Sequence, residues 1–318
     1  MARRRNHLME ARKSKVGIII RTKNRPIFLK RALESVSSQT FSNWHIYIIN
    51  DGGNAEELKP ILQPYEKKFS EKITSINLPI SYGRGGAMSL GIGVATEDYI
   101  LIHDDDDTLE PLFLEKTVSY LDADKDDVFC GVTTSNYDVY EYVDGDRIIT
   151  KEKTDTGGQK TGTLVDVSIY LSHIGVILPI TFLFRRKLID LSGNVNTNMQ
   201  HYEDYDLFIR LIMRGEIGII QDFLCSYHHR EPTGTASDTS RHEKKFDYHL
   251  AYRNNVIRNA INNGDNLTDF QATFIHGKSI NSHYTNQILN HMHVLGMSII
   301  AMSKAISEIA AKIEKRNF

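Results

Sequence analysis

The chain has 318 residues, 41% hydrophobic and 25% charged, with a formal net charge of -2 at pH 7. These values fit a globular α/β domain with an appendage and argue against nucleic acid as a partner. Two cysteines, Cys130 and Cys225, are too few for a disulfide framework or a cysteine zinc site, so a cytoplasmic, reducing setting is expected. No apolar run reaches membrane-spanning length, since Val176 to Phe184 is short and contains Pro179. The N-terminus lacks a signal-peptide core. Its basic cluster (Arg3, Arg4, Arg5, Arg12, Lys13, Lys15) reads as a solvated arm over 1–14, with peripheral contact to anionic lipid at the inner membrane face as the second reading.

Val16 to Ile20 is an apolar, β-branched run, as a strand buried on both faces requires. It stops at Arg21-Thr22-Lys23-Asn24-Arg25-Pro26, where Pro26 suits a helix start and Phe28, Leu29, Ala32, Leu33 and Val36 recur at helical spacing. A second strand, His45 to Asn50, ends in Asp51; a helix over Ala55 to Phe69 and a strand over Ile73 to Asn77 follow. Ser81 to Thr96 is rich in glycine without a complete phosphate-binding fingerprint, which points to close backbone packing or approach to a ligand. Tyr99 to His103 is a fourth strand, and it runs into four consecutive carboxylates, Asp104 to Asp107. Like charges beside a buried strand need a compensating cation, and hard oxygen ligands suit Mg²⁺ or Mn²⁺. Alone, such a run is more simply a solvated turn. Strand–helix alternation, however, predicts a Rossmann-like, mostly parallel sheet flanked by helices, whose ligands bind beyond the carboxyl ends of the strands. Thr22/Asn24/Arg25, Asp51 and the acidic run all fall at that edge.

Pro111 opens the next helix. From about residue 128 the pattern becomes alternating strands (Val128 to Thr134, Tyr137 to Val143, Arg147 to Lys151) with a hairpin at Asp144-Gly145, then a polar, mobile loop over the site at Thr154 to Thr163. Ile180 to Arg185 is a further strand. His201-Tyr202-Glu203-Asp204-Tyr205-Asp206 opens a helix, where acidic residues also complement the helix dipole. Ile217 to Ile220 is a late strand leading to Tyr227-His228-His229-Arg230.

The pieces IIIRTKNRP, IYIINDGG, YILIHDDDDTLEP, ITFLFRR and HYEDYDLFIRL, in this order, resemble the family 2 glycosyltransferases of GT-A fold over 15–235. The resemblance implies an inverting, metal-dependent transfer of a sugar from a nucleoside diphosphate sugar, of UDP or dTDP type, to a hydroxyl of a saccharide or glycolipid acceptor, as in surface polysaccharide or glycoconjugate assembly. It places Thr22, Asn24 and Arg25 in the nucleotide pocket, Asp51 on the pyrimidine base, and Asp104 and Asp105 near the ribose and metal. Asp106 becomes the main ligand of a divalent ion, Mn²⁺ or Mg²⁺, and Asp204 the catalytic base with Glu203 beside it. Arg21 stands where the family has proline. Ala87-Met88-Ser89 replaces the family's Ala-Arg-Asn, and Arg84 is the candidate for the missing positive charge on the donor. His228 or His229 is a further candidate metal ligand, the alternative being two ordinary surface histidines. Asp107 has no assigned role. A sugar nucleotidyltransferase and an inactive nucleotide-sugar-binding scaffold are the competing readings.

Residues 236–318 form a helical extension in this reading. Ile288, Met292, Leu295, Ile299, Met302, Ile306, Ile309 and Ile313 step by four and three, a heptad that suits a coiled coil and homo-oligomer, or a helix docked on its own domain.

Overall fold

The computed structural model describes residues 14–230, apart from 70, 157, 168–169, 171–176 and 200. The chain divides into two compact units, Met1–Glu243 and Lys244–Phe318. The basic arm, the C-terminal extension and its heptad lie outside the described residues.

Strand β1 (Val16–Thr22) is buried along its whole length. Helix α1 (Pro26–Ser37) follows, with proline in its first turn, where the missing N–H costs no hydrogen bond. It turns Phe28, Leu29, Ala32, Leu33 and Val36 inward. Next come β2 (Trp44–Asn50), α2 (Ala55–Lys68), β3 (Ile73–Asn77), α3 (Gly83–Val94) and β4 (Tyr99–Asp104). The Asn54 side chain caps α2 by accepting from Glu56 N. These four strands pair in parallel in the order β3-β2-β1-β4. Register sets Thr22 opposite Asn50 and Arg21 opposite Asp104, so the polar ends of three strands lie level at one edge.

Among the glycines of α3, Gly91 serves close approach to β1. A Cβ on Gly91 would stand 2.2 Å from Ile19 Cγ2, so α3 sits against β1 only because that atom is missing.

After β5 (Thr108–Leu109) and α4 (Phe113–Ala123) the sheet becomes mixed. Strand β6 (Phe129–Asp144) turns at Asp144–Arg147 into β7 (Arg147–Thr154), the expected hairpin. Strand β8 (Phe182–Arg185) pairs antiparallel with β4 and β6, and after the short helix α5 (Ile189–Ser192) and helix α6 (Glu203–Ile212) comes β9 (Glu216–Arg230), which runs parallel to β6. Nine strands thus form one sheet, β3-β2-β1-β4-β8-β6-β9-β5, with β7 paired to β6. Phe182, Phe184 and Phe208 seal α6 onto it.

Several boundaries differ from the sequence expectation. Helix α4 begins at Phe113, after Pro111, because Phe113 N bonds back to Glu110 O in a turn. The strand expected from Ile180 starts at Phe182, after a 3-10 turn over Pro179–Thr181. The two strands expected on either side of Ser135-Asn136 are one, kept continuous by register shifts against β9. Strand β9 does not stop at Ile220 but carries His228 and His229 within it. Thr154 to Thr163, expected as a loop over the site, is tied along β6 and β9 instead: Asn136 N donates to Gly158 O and Ile219 N to Thr163 O, and none of its described residues lines the cavity described below.

Candidate active site

A cavity of about 740 Å³ opens at the carboxyl edge of β1, β2 and β4. The β1–α1 loop supplies Thr22 and Arg25, β2 and the entry to α3 supply Asp51 and Arg84, and β4 supplies Asp104, Asp105 and Asp106. Asp204 and Tyr205 at the start of α6 line it too, with Tyr227, His228 and His229 from β9. Ten of the residues expected at the site from sequence therefore face one space. Asn24 and Glu203 are not among the lining residues.

Asn24 sits at φ 53, left-handed for a residue with a side chain, and its Oδ1 accepts from Asn54 N at 2.9 Å, so it ties the two strand-end loops together. Asp51 receives Ser81 Oγ at 2.6 Å, Tyr82 N at 2.7 Å and Gly83 N at 3.0 Å. Its carboxylate thereby holds the first turn of α3 in place, as an acid at a helix N-terminus does favourably.

The four aspartates occupy four different environments. Asp104 takes both Nε and Nη2 of Arg21, with Nε at 2.9 Å, and lies 4.0 Å from Arg84 Nη2. Burial opposes its charge, but these arginines hold its pKa below the usual value. Asp105 accepts from Thr22 Oγ1 at 2.7 Å and pairs with Arg25 at 2.8 Å. Burial outweighs that pairing and pushes its pKa up to about 7. Asp106 pairs with Arg25 at 2.5 Å and with Arg230; burial works against its ionisation, yet the two guanidiniums bring it down to about 2. Asp107 accepts from His228 N at 3.0 Å, and burial raises it well above the ordinary range.

The acidic run thus has its compensating cations in arginine. Three of them stack on one ring: Arg25, Arg31 and Arg230 lie 5.1, 5.6 and 4.1 Å from the centroid of Phe28. Beneath them the buried Glu141 binds Arg31 at 2.6 Å, Arg230 at 2.5 Å and His228 Nδ1 at 2.7 Å. Burial would raise the pKa of Glu141, but its bonds to His228 and Arg31 depress it to about 2. His228 Nε2 meets Thr108 Oγ1 at 3.0 Å, so both of its ring nitrogens are engaged. On the other face of the strand, His229 Nε2 meets Asp138 at 2.8 Å and its ring stacks on Tyr140.

Asp204 lines the same cavity, and its Oδ1 accepts from Tyr205 N at 2.8 Å. Burial and the neighbouring charge of Glu203 raise its pKa, with Arg84 and Arg21 pulling the other way. Glu203 is fully buried, and its Oε1 takes Arg21 Nη1 at 3.0 Å and Arg84 Nε at 3.3 Å.

Sequence reasoning missed Glu141, Arg31, Arg230 and the structural part played by Arg21. Only Arg21 left a signal, as a cation beginning a strand-end loop; the rest meet their partners through β6–β9 pairing that no local pattern reports.

Among the described residues no three His, Cys, Asp or Glu side chains converge as a closed metal cage. Asp104 and Asp106 nevertheless line one cavity, and one or two carboxylates completed by substrate phosphates are what Mg²⁺ and similar ions use, so the donor set fits. No helix among the described residues is long and apolar enough to cross a membrane.

Known proteins resemble this chain in sequence and fold. YwdF of Bacillus subtilis, an uncharacterised glycosyltransferase, is 28% identical over 202 residues, covering 62% of this chain and 67% of its own. The chain spans between 32% and 67% of the length of the first curated relatives it matches. Among solved structures, S. aureus TarS 1-349 in complex with UDP-GlcNAc superposes with a TM-score of 0.62 at 17% identity, covering 85% of this chain and 73% of that one. The mannosyltransferase PcManGT of Pyrobaculum calidifontis, in complex with GDP-Man and Mn²⁺, has a TM-score of 0.50 at 12% identity, over 67% and 56%. The mixed sheet flanked by helices is therefore of GT-A type. The family model for glycosyl transferase family 2 matches residues 17–191, more than half of the sequence and the part that carries the acidic run, so the chain belongs to glycosyl transferase family 2.

Proposed function

We propose that the protein transfers a sugar from a nucleoside diphosphate sugar to a hydroxyl of a saccharide or glycolipid, inverting the anomeric centre in one displacement. The observation that carries this is that Asp204 lines the same cavity as Asp104, Asp105 and Asp106, so a base and the donor carboxylates share one space. Thr22, Arg25, Asp51, Arg84, Asp104 and Asp105 form the donor wall in this reading. Asp106 would hold a divalent ion, with Asp104, His228 and His229, which line the same cavity, as further candidates. Such an ion, when bound, supplies Lewis-acid stabilisation of the leaving diphosphate. The Mn²⁺ in the PcManGT complex and the UDP-GlcNAc in the TarS complex support the ligand classes.

Asp204 takes the proton of the acceptor hydroxyl as its oxygen bonds to the anomeric carbon. The bond from that carbon to the diphosphate oxygen breaks, and the nucleoside diphosphate leaves with the bonding pair. Arg84 and Arg25 face the space where that charge develops, and fixed cations in a partly dry cavity are worth more there than in water.

A thermal-shift screen of nucleoside diphosphates and their sugars, with and without Mn²⁺, tests the reading. A pyrimidine diphosphate, UDP or dTDP, should stabilise the protein, and Mn²⁺ should enlarge the shift. Stabilisation only in the absence of metal would remove Asp106 from its metal role.

A further inference from the structure

We propose that Arg21 is the positioning residue for the base: its guanidinium, locked between Asp104 at the end of β4 and Glu203 in the first turn of α6, fixes where Asp204 stands relative to the donor. The inference rests on the transferase reading above.

The geometry is specific. Arg21 lies opposite Asp104 in the β1–β4 register and is buried, with its side chain 5% exposed. Its Nε and Nη2 bind Asp104, while Nη1 reaches Glu203 Oε1 at 3.0 Å and Arg84 O at 3.3 Å. One planar fork therefore joins β1, β4, the first turn of α3 and the first turn of α6, a role its rigid donor pattern suits better than lysine would. Burial disfavours its charge, and Asp104, Glu203 and Asp204 more than restore it.

Glu203 meets Arg21 and Arg84 rather than the cavity. It is fully buried and off the cavity wall, and its Oε2 has no hydrogen-bond partner among the described residues. A half-satisfied buried carboxylate costs stability, so the pair is explained better by what it holds than by what it contributes to folding. What it holds is Asp204, the next residue. The entry to α6 is itself constrained, since Tyr202 stands at φ 61, which a tyrosine adopts only when its surroundings impose it. Arg84 divides the work: its side chain is 38% exposed and lines the cavity, so it is available to the donor, whereas Arg21 is committed to the protein.

Steady-state transfer by the full chain, with the donor found in the screen, tests this in Arg21→Met, Arg21→Lys and the double variant Arg21→Met/Glu203→Gln. The double variant removes both buried charges, so it keeps the test open where Arg21→Met fails to fold. Expected are a kcat reduced about 10²-fold with donor KM little changed in Arg21→Met, and partial recovery in Arg21→Lys. The double variant should regain melting temperature and nucleotide binding without regaining kcat. A double variant with wild-type kcat overturns the inference and leaves the transferase reading standing. Wild-type protein that transfers from no nucleotide sugar overturns both.

Discussion

Asp204 and Asp106 carry opposite electrostatic arrangements, and their variants should separate cleanly. Burial and Glu203 raise the pKa of Asp204, so the base becomes competent only as pH rises through a value above the ordinary carboxylate. The acid limb of kcat/KM against pH should therefore lie above about 3.9, falling tenfold per unit below it. A flat profile down to that value would argue that another group takes the proton. At Asp106 the two guanidiniums already favour ionisation, so removal acts through binding. Asp106→Ala should abolish the extra stabilisation that Mn²⁺ gives with a nucleoside diphosphate, as read by thermal shift. Apart from Glu141, which lies inside β6, the carboxylates of this site are legible in the sequence, because each closes an apolar strand or opens an amphipathic helix. The cations opposite them are less so. Arg230 reaches Asp106, and Arg21 reaches Glu203, across 124 and 182 residues of sequence, and only the folded register brings them together.

Among the elements, α3 and the β6–β9 pair show what pattern alone resolves. The alternation of Val16–Thr22, Trp44–Asn50 and Tyr99–Asp104 with helices is plain because these strands are buried on both faces and read as continuous apolar runs. Strand β9 is not plain, since Gln221 and Asp222 interrupt it with exposed polar residues while its pairing continues. The glycines of α3 read as a ligand loop or as packing, and packing decides at Gly91. Gly91→Ala would gain helix propensity, yet its methyl group would meet Ile19 Cγ2. A net loss of about 1–3 kcal/mol is expected, measured by denaturant unfolding; a gain in stability would show that α3 has room to move off β1.

Glu141 ties β6 to α1 and β9 through Arg31, His228 and Arg230. Its pKa in the fold is about 2 against an ordinary 4.5, so the stability it adds is complete above pH 4.5 and is lost as pH falls towards 2. Glu141→Gln should cost about 3–5 kcal/mol near neutral pH, with the gap in melting temperature to wild type closing across that window. A gap independent of pH would mean that shape, not charge, is what Glu141 supplies.

At the scale of the molecule, the parallel half-sheet supplies Thr22, Asp51 and the acidic run, and the mixed half brings α6 and β9 to the same cavity. That cavity takes residues from strand ends about a hundred positions apart in sequence. The proposed transfer depends on Asp204 and the acidic run sharing that cavity, and release of nucleoside diphosphate from a nucleotide sugar, wild type against Asp204→Asn, measures it most directly. Wild type should release the nucleoside diphosphate in an acceptor-dependent manner. Asp204→Asn should be slower by about 10²–10⁴-fold while its thermal shift with nucleotide and Mn²⁺ is unchanged. An Asp204→Asn protein that transfers at the wild-type rate would contradict the account.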